Sequence, residues 1–278
     1  MITVKLLGGL GNQMFQYALG RQLSIKNNDS LMLDLTDLLK RDGINYTPRE
    51  YELDVFNIDC AGKILPGEFK SFKERFTFKY LTKKVNENGH RFSPKVLALK
   101  GNLDLNGFWQ NEKYFKSIED VIRRDFTLKA GVLPVGDPAI KKISAANSVS
   151  VHFRLGDYLS NPNARNFHGV LDVDYYKAAI VKINELVGSP YFFIFSDNVD
   201  WVKENFVFEQ GHTFISQEGN AAVDMQLMSA CKHHIIANSS FSWWGAWLDP
   251  KPDKIVIAPK QWFTTTPTEI VPETWIQI

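Results

Sequence analysis

Beyond residue 140, short apolar runs rich in β-branched and aromatic residues alternate with longer segments whose apolar residues recur at helical spacing. This alternation leaves few folds open. Strands are predicted at residues 149–153, 191–195, 213–215, 234–237 and 254–257, and helices at 175–187, 199–205, 221–231 and 241–248. Strand then helix, repeated, gives a parallel sheet with right-handed crossovers. The strand exits of such a sheet share one edge, which is where open α/β sheets bind ligands. Four exits carry polar clusters: Arg154-Leu155-Gly156-Asp157, Ser196-Asp197-Asn198, Ser216-Gln217-Glu218 and Asn238-Ser239-Ser240. Distant segments of the chain therefore converge on one site.

The amino-terminal half begins in the same style. A strand at 3–7, the glycine turn Gly8-Gly9-Leu10-Gly11-Asn12-Gln13, a helix at 14–26 and a strand at 30–35 make one βαβ unit. Residues 36–59 read as loop with short pieces, followed later by a strand at 103–109 and a helix at 112–124. The stretch 129–138 holds two glycines and two prolines and marks the boundary. Two α/β domains are expected, residues 1–140 and 141–278, a length comfortable for two ordinary cores.

Composition excludes several classes. Apolar content of 44% with 13% aromatic residues is globular, and a net charge of +1 argues against a nucleic-acid partner. Only Cys60 and Cys231 are present, so a secreted disulfide scaffold is not expected and a reducing cytoplasm is. No signal peptide and no apolar run of the ~20 residues of a membrane span is evident. The basic and aromatic run at 70–84 reads as a solvated face, with peripheral contact to the inner face of a membrane as the minority alternative.

Four motifs carry chemistry. In His152-x-Arg154-x-x-Asp157, a guanidinium at a strand exit suits a diphosphate, held by two charge-assisted hydrogen bonds. The bland alternative is an Arg154–Asp157 ion pair beside a core histidine. In Asn238-Ser239-Ser240-Phe241, a strand runs into serines that open a helix, giving either an anion site or an ordinary serine cap. Asp224 sits in the first turn of a largely apolar helix, where it either caps or accepts two hydrogens from a guanine edge. The glycine turn holds Gly9-x-Gly11 but has Met14 in place of the third glycine of a dinucleotide fingerprint, and Asp34 lies ~20 residues on. An NAD(P)-binding oxidoreductase is thus a competitor on pattern alone, though it has no use for the four polar exits.

Other patterns are decoys. Asp172-Val173-Asp174 looks like a metal-binding Asp-x-Asp, but Asp174 is placed to cap the following helix. Cys231-Lys232-His233-His234 lacks zinc-ligand spacing, and strand alternation sends the two histidines to opposite faces. No Ser-His-Asp arrangement is recognisable. Trp243, Trp244 and Trp247 are expected to pack rather than bind.

Taken together, the segments 8–17, 151–158 and 236–245 resemble the α-1,2-fucosyltransferases of glycosyltransferase family 11. Phe195-Ser196-Asp197-Asn198, Gly107-Phe108-Trp109-Gln110-Asn111 and Asp174-Tyr175-Tyr176 support the match, which spans nearly the whole chain. The resemblance implies a GT-B-like α/β fold, two Rossmann-like domains with parallel sheets facing a cleft, the amino-terminal one on the acceptor side and the carboxy-terminal one binding GDP-fucose. It implies inverting, metal-independent transfer of L-fucose to the 2-hydroxyl of a terminal β-galactoside, in a lactose-like oligosaccharide or a lipid-linked glycan. By similarity, Arg154 binds the β-phosphate and His152 the nucleotide side. Asp224 reads guanine, and Ser239, Ser240 and Phe241 hold phosphates and base, with Ser196, Asp197 and Asn238 at the adjoining exits. Gly9, Gly11 and Asn12 approach the fucose or diphosphate from the other domain. Asp157 is a candidate general base or a support for Arg154. Trp109 is a stacking platform for the acceptor sugar and Gln110 a polar contact. Many members carry a second arginine where this chain has Leu155, so Arg154 carries more of the work. A non-catalytic glycan-binding relative is the remaining alternative, and the intact Arg154, Ser239 and Asp224 set argues against it.

Overall fold

A computed structural model describes residues 1–40, 49–67, 82–155, 171–215, 220–264 and 266–278. The chain divides into two compact units, Met1–Lys129 and Ala130–Ile278. The break falls at the start of the glycine- and proline-bearing stretch, so residues 130–140 go with the second unit.

In the first unit, β1 (Ile2–Lys5) leads through the glycine turn into α1 (Leu10–Asn27), then β2 (Leu31–Asp34), a 3-10 turn (Leu53–Val55) and β3 (Gly62–Ile64). β4 (Lys83–Asn86), the one-turn helix α2 (Pro94–Leu97) and β5 (Leu103–Asn106) follow. The sheet order is β3-β2-β1-β5-β4 with every pair parallel. Ile2, Val4, Leu31, Leu33, Leu103 and Leu105 are buried together with Met14, Ala18 and Leu23 of α1, as period-2 strands and a period-3.6 helix require. β3 and β4 are additions to the sequence reading; β4 is mostly exposed and carries lysines, so no apolar alternation announced it. The helix expected at 112–124 is instead two 3-10 turns, Glu112–Tyr114 and Lys116–Ile118, and a short α3 (Glu119–Asp125). Phe115 (φ −137°, ψ 7°) breaks the run, and its ring is fully buried 6.1 Å from Phe15.

The second unit runs α4 (Pro138–Ala145), β6 (Ser148–Phe153), α5 (Val173–Val187), β7 (Tyr191–Ser196), α6 (Val199–Asn205), β8 (His212–Ile215), α7 (Ala221–Ala230), β9 (His233–Ile235), α8 (Ser240–Leu248), β10 (Val256–Ala258) and β11 (Ile276–Gln277). Its sheet, β11-β10-β9-β6-β7-β8, is also parallel throughout. Val149, Val151 and Phe153 of β6 share a core with Tyr176, Ala179 and Ile183 of α5, and Phe153 stacks on Tyr176 at 3.9 Å. Trp243, Trp244 and Trp247 pack among themselves and are buried, with Trp243 Nε1 donating to the Ile270 carbonyl at 2.8 Å.

Both sheets start in the middle, grow to one side and return to the other. The order therefore reverses between β1 and β5 in the first unit and between β6 and β9 in the second. Outside the carboxyl ends of strands at such a reversal is where α/β sheets place ligands.

Candidate active site

In the second unit the reversal is flanked by His152 and Arg154 on one strand exit and Asn238 to Phe241 on the other. Ser150 and His152 face away from the core that holds Val149, Val151 and Phe153. His152 is 3% exposed, its ring 5.4 Å from that of Phe241. Burial holds its pKa well below the ordinary histidine value, with Asp197 opposing and Arg154 reinforcing that direction. The imidazole is thus neutral at pH 7, and its Nδ1 has no hydrogen-bond partner among the described residues.

Arg154 is held from the neighbouring strand exit. Its NH1 donates to Asp197 Oδ2 at 2.6 Å, and Asp197 Oδ1 accepts the Leu155 amide at 2.9 Å. Asp197 therefore holds the guanidinium with one oxygen and the backbone after it with the other, the job the sequence offered to Asp157, which lies outside the described residues with the rest of 156–170. The exit residues 216–219 lie outside them too. Ser196 accepts the Asn198 amide at 3.0 Å, and Asn198 accepts from Trp201 as the cap of α6, so this exit is largely occupied by its own turn. Leu155 is a core residue, 1% exposed, which accounts for a leucine at that position.

On the other flank, the Asn238 side chain is buried and donates to the Trp262 carbonyl at 3.3 Å. Ser239 occupies the cap position of α8, yet its hydroxyl accepts from none of the first-turn amides. The ordinary-cap alternative is therefore not realised. A nine-residue helix opens at the exit of β9, the strand next to β6, with serine hydroxyls and backbone N–H groups at its start, a favourable place for an anion. Asp224 is in the first turn of α7, but the cap is Asn220, whose Oδ1 accepts the Val223 amide at 3.3 Å.

Behind these groups lies an array that sequence reasoning missed. Ser150 Oγ is 2.8 Å from His234 Nδ1, and His234 Nε2 is 3.1 Å from Asp249 Oδ2. Lys251 Nζ donates to the other Asp249 oxygen at 2.7 Å. Burial pushes His234 down to about 4, so the neutral ring donates from Nε2 to Asp249 and accepts the Ser150 hydroxyl at Nδ1. Ser150, His234 and Asp249 are all 0% exposed, so this Ser-His-Asp set braces β6, β9 and the end of α8 instead of reacting. The three residues are 84 and 15 positions apart, and only the β6–β9 register brings them together.

In the first unit the reversal is built from amides. Gly8 takes φ +75°, which glycine adopts freely, and a Cβ there would lie 2.4 Å from Asn12 Nδ2. Gln110 Nε2 donates to Asn12 Oδ1 at 2.7 Å, joining the exits of β1 and β5. Gln13 donates to the carbonyls of Gly8 and Glu50 and accepts from the Glu52 amide; Gln16 accepts from Leu7 and donates to Gly107. The Leu10 amide donates to the Glu52 carboxylate, which burial holds above the usual carboxylate range. A carboxylate thus sits at the start of α1, where the diphosphate of a dinucleotide would lie. Asp34, the ribose acid of that alternative, is 8% exposed and accepts the Thr36 amide at 2.9 Å.

Several expectations are corrected. Trp109 is 1% exposed, edge-on to Tyr114 at 5.7 Å, and offers no face for a sugar; Phe108 beside it is half-buried. Asp172, not Asp174, caps α5, accepting the Tyr175 amide at 2.8 Å. His233 accepts the Ile255 amide, so the two histidines have separate partners. Both cysteines are free. Of the run 70–84, residues up to 81 lie outside the described ones. Among the described residues no helix is long and apolar enough to cross a membrane.

The fold is that of a solved fucosyltransferase, NodZ from Bradyrhizobium, with a TM-score of 0.52 at 14% identity over 90% of this chain and 92% of that one. The α/β, GT-B-like class expected from sequence is therefore the observed one. An α-1,2-colitosyltransferase of Escherichia coli is 40% identical over 100% of this chain and 99% of its own. An O-antigen biosynthesis glycosyltransferase, WbnK, from the same species is 34% identical over 98% and 99%. Human galactoside α-(1,2)-fucosyltransferase 1 is 28% identical over 52% of this chain and 43% of its own. The family model for glycosyl transferase family 11 matches residues 1–278, and this chain belongs to that family.

Proposed function

We propose that the chain transfers L-fucose from GDP-β-L-fucose to the 2-hydroxyl of a terminal β-galactoside, with inversion at C1 and without a metal ion. The observation that carries this reading is the second unit's reversal point. A guanidinium fixed by Asp197 stands beside a helix start whose cap residue leaves the first-turn amides open, which is a diphosphate site by its chemistry. His152 Nδ1 contacts the nucleotide side, and Asp224 accepts from the guanine edge. The α/β fold shared with NodZ and the family membership support the nucleotide-sugar assignment.

The acceptor hydroxyl attacks C1 through an oxocarbenium-like transition state as GDP leaves. GDP gains charge as the bond breaks, so Arg154 and the α8 amides lower the barrier by meeting that charge where it forms. Arg154 supplies the positive charge that a metal supplies in other transferases. Asp157 is the proposed base. An Asp157→Asn variant that keeps GDP binding but loses turnover supports that role; loss of both assigns it to support of the arginine.

A second donor has a specific observation in its favour, since the relative at 40% identity carries the name of a colitosyltransferase. Colitose is fucose lacking the 3-hydroxyl, so the same diphosphate site serves both. One experiment separates them: GDP-fucose and GDP-colitose are offered with a panel of β-galactosides, lactose and lipid-linked repeats included, with and without EDTA. Transfer from GDP-colitose alone overturns the fucose assignment, loss of activity in EDTA overturns metal independence, and GDP binding without turnover on any acceptor favours the glycan-binding alternative.

A further inference from the structure

Glu87 belongs to none of the motifs above. It follows β4, the exposed edge strand, and reaches across to the exit of β5. Its Oε2 accepts the Phe108 amide at 2.7 Å and its Oε1 the Trp109 amide at 3.0 Å. The backbone it holds is not one a tryptophan adopts freely, for Trp109 has φ +56°. The buried indole, packed edge-on to Tyr114, keeps that residue from turning. Gly107 completes the arrangement, because a Cβ there would lie 2.3 Å from Glu87 Cβ. From the opposite side, Gln16 ties the Gly107 carbonyl to the Leu7 amide of the β1 exit, at 3.1 and 2.9 Å.

The residue that emerges from this turn is Gln110, and its Nε2 donates to Asn12 Oδ1. A side-chain amide whose oxygen is engaged presents its NH2 group elsewhere, so the Gln110 contact decides which edge of Asn12 faces a ligand. We propose that Glu87 is a positioning residue for the transfer reaction: it clamps the Phe108–Trp109 turn so that Gln110 holds Asn12 with its NH2 group toward a sugar bound at the first unit's own reversal point. The proposal rests on the reading of the chain as a sugar transferase in which Asn12 contacts a sugar. Glu87 does not itself touch substrate. Its carboxylate suits the task because one group accepts two successive backbone amides, which no neutral side chain of that length does equally.

The test uses the full chain, with Glu87→Ala, Gln110→Ala and the double variant. It measures kcat for transfer, KM for the donor, GDP affinity by calorimetry, and melting temperature. Glu87→Ala is expected to lower kcat at least tenfold while GDP affinity stays within twofold, because the nucleotide is held in the second unit. The double variant is expected to be no slower than the slower single one, since both changes release the same amide. Glu87→Gln keeps one acceptor and is expected to fall between Glu87→Ala and wild type, which also serves if Glu87→Ala fails to fold. A kcat that survives Glu87→Ala overturns the positioning role, and so do losses that multiply in the double variant. A wild-type chain that binds no GDP overturns the GDP-sugar reading and this proposal with it. Where the wild-type chain does transfer sugar, a failure of the Glu87 variants to slow it counts against Glu87 alone.

Discussion

The two units fold the same way at their reversal points and equip them oppositely. At the second, a cation and an uncapped helix start stand together, with Arg154 anchored by Asp197 and α8 opening beside it. At the first, the helix start is already met by the Glu52 carboxylate, and the strand exits are stitched by neutral amides from Gln13, Gln16, Gln110 and Asn12. Glu87 adds a second carboxylate on backbone N–H groups. One topology thus yields one reversal point with a guanidinium and an uncapped helix start, and another whose helix start already has a carboxylate and whose exits are tied by neutral amides. The side chains at the exits, not the fold, divide the labour.

The sharpest way to break this contrast is to remove the charge. Arg154→Ala should lower transfer by about 10²–10³-fold, the loss typical of a group aimed at developing charge. GDP affinity should fall by about 10-fold or more, as for a lost charged hydrogen bond. Steady-state kinetics and calorimetry on the same preparation check both numbers. Retained transfer in a folded variant would falsify the assignment of the diphosphate to this exit.

The next largest effect is on stability and belongs to the second unit's brace. His234→Ala takes a hydrogen-bond donor from the buried Asp249 carboxylate, and losing such a bond to a charged group costs about 1.5–3 kcal/mol. Lys251 and Lys254 also face Asp249 and temper the loss. In the wild-type protein the same histidine makes folding pH-dependent. Its folded pKa is pushed down to about 4, so below pH 6.5 the unfolded chain takes up a proton that the folded chain refuses. Stability is full above that range and is lost as pH falls toward 4. Between pH 7 and pH 5 this group alone should remove about 2 kcal/mol. Urea midpoints at the two pH values, compared with those of His234→Gln, measure it; an equal drop in the variant would assign the acid sensitivity elsewhere.

What was legible in the sequence follows the same division. The second unit's strands and helices were readable because β6 and β7 are buried on both faces, so they appear as continuous apolar runs that stop at polar residues. Its charged exit residues stood out for the same reason. The first unit was harder: β3 and β4 are short edge strands, β4 with lysines facing out, and neither shows alternation. Glu87, Glu52 and Gln16 act on backbone groups, and nothing in their spacing marks a side chain that bonds to main chain 9 to 91 residues away. Trp109 misled for a related reason: an aromatic residue in a motif suggests a sugar platform, and only the β5 turn shows that its ring points inward. The bond from Arg154 to Asp197 was not legible, because the two residues lie 43 positions apart on adjacent strand exits.

A moderate effect should come from the first unit's turn. Gly8→Ala forces a residue with a side chain into φ +75° and places its Cβ against Asn12 Nδ2. The backbone term costs about 1 kcal/mol. Displacement of Asn12 should lower transfer by about 10-fold, as small misplacements at a reacting centre do. GDP affinity should hold if the proposed diphosphate site is the exit of β6 and the start of α8. A loss of GDP affinity in Gly8→Ala, measured by calorimetry, would mean that the first unit's turn takes part in nucleotide binding, and the contrast between the two reversal points would fail.

The smallest effect is the most discriminating. A serine that caps a helix costs about 1 kcal/mol when replaced by alanine, because a first-turn amide loses its acceptor. Ser239 accepts from no such amide, so Ser239→Ala should change stability by less than about 0.5 kcal/mol. If its hydroxyl is a donor of the proposed diphosphate site, losing one neutral hydrogen bond to a phosphate oxygen should weaken GDP binding by about 3- to 10-fold. Stability unchanged and nucleotide affinity reduced is the pattern of a helix start left open for an anion. The reverse pattern, a lower melting temperature with GDP affinity intact, would make Ser239 an ordinary cap. It would also leave the pairing of Arg154 with Asp197 as the feature that marks the second reversal point for an anion.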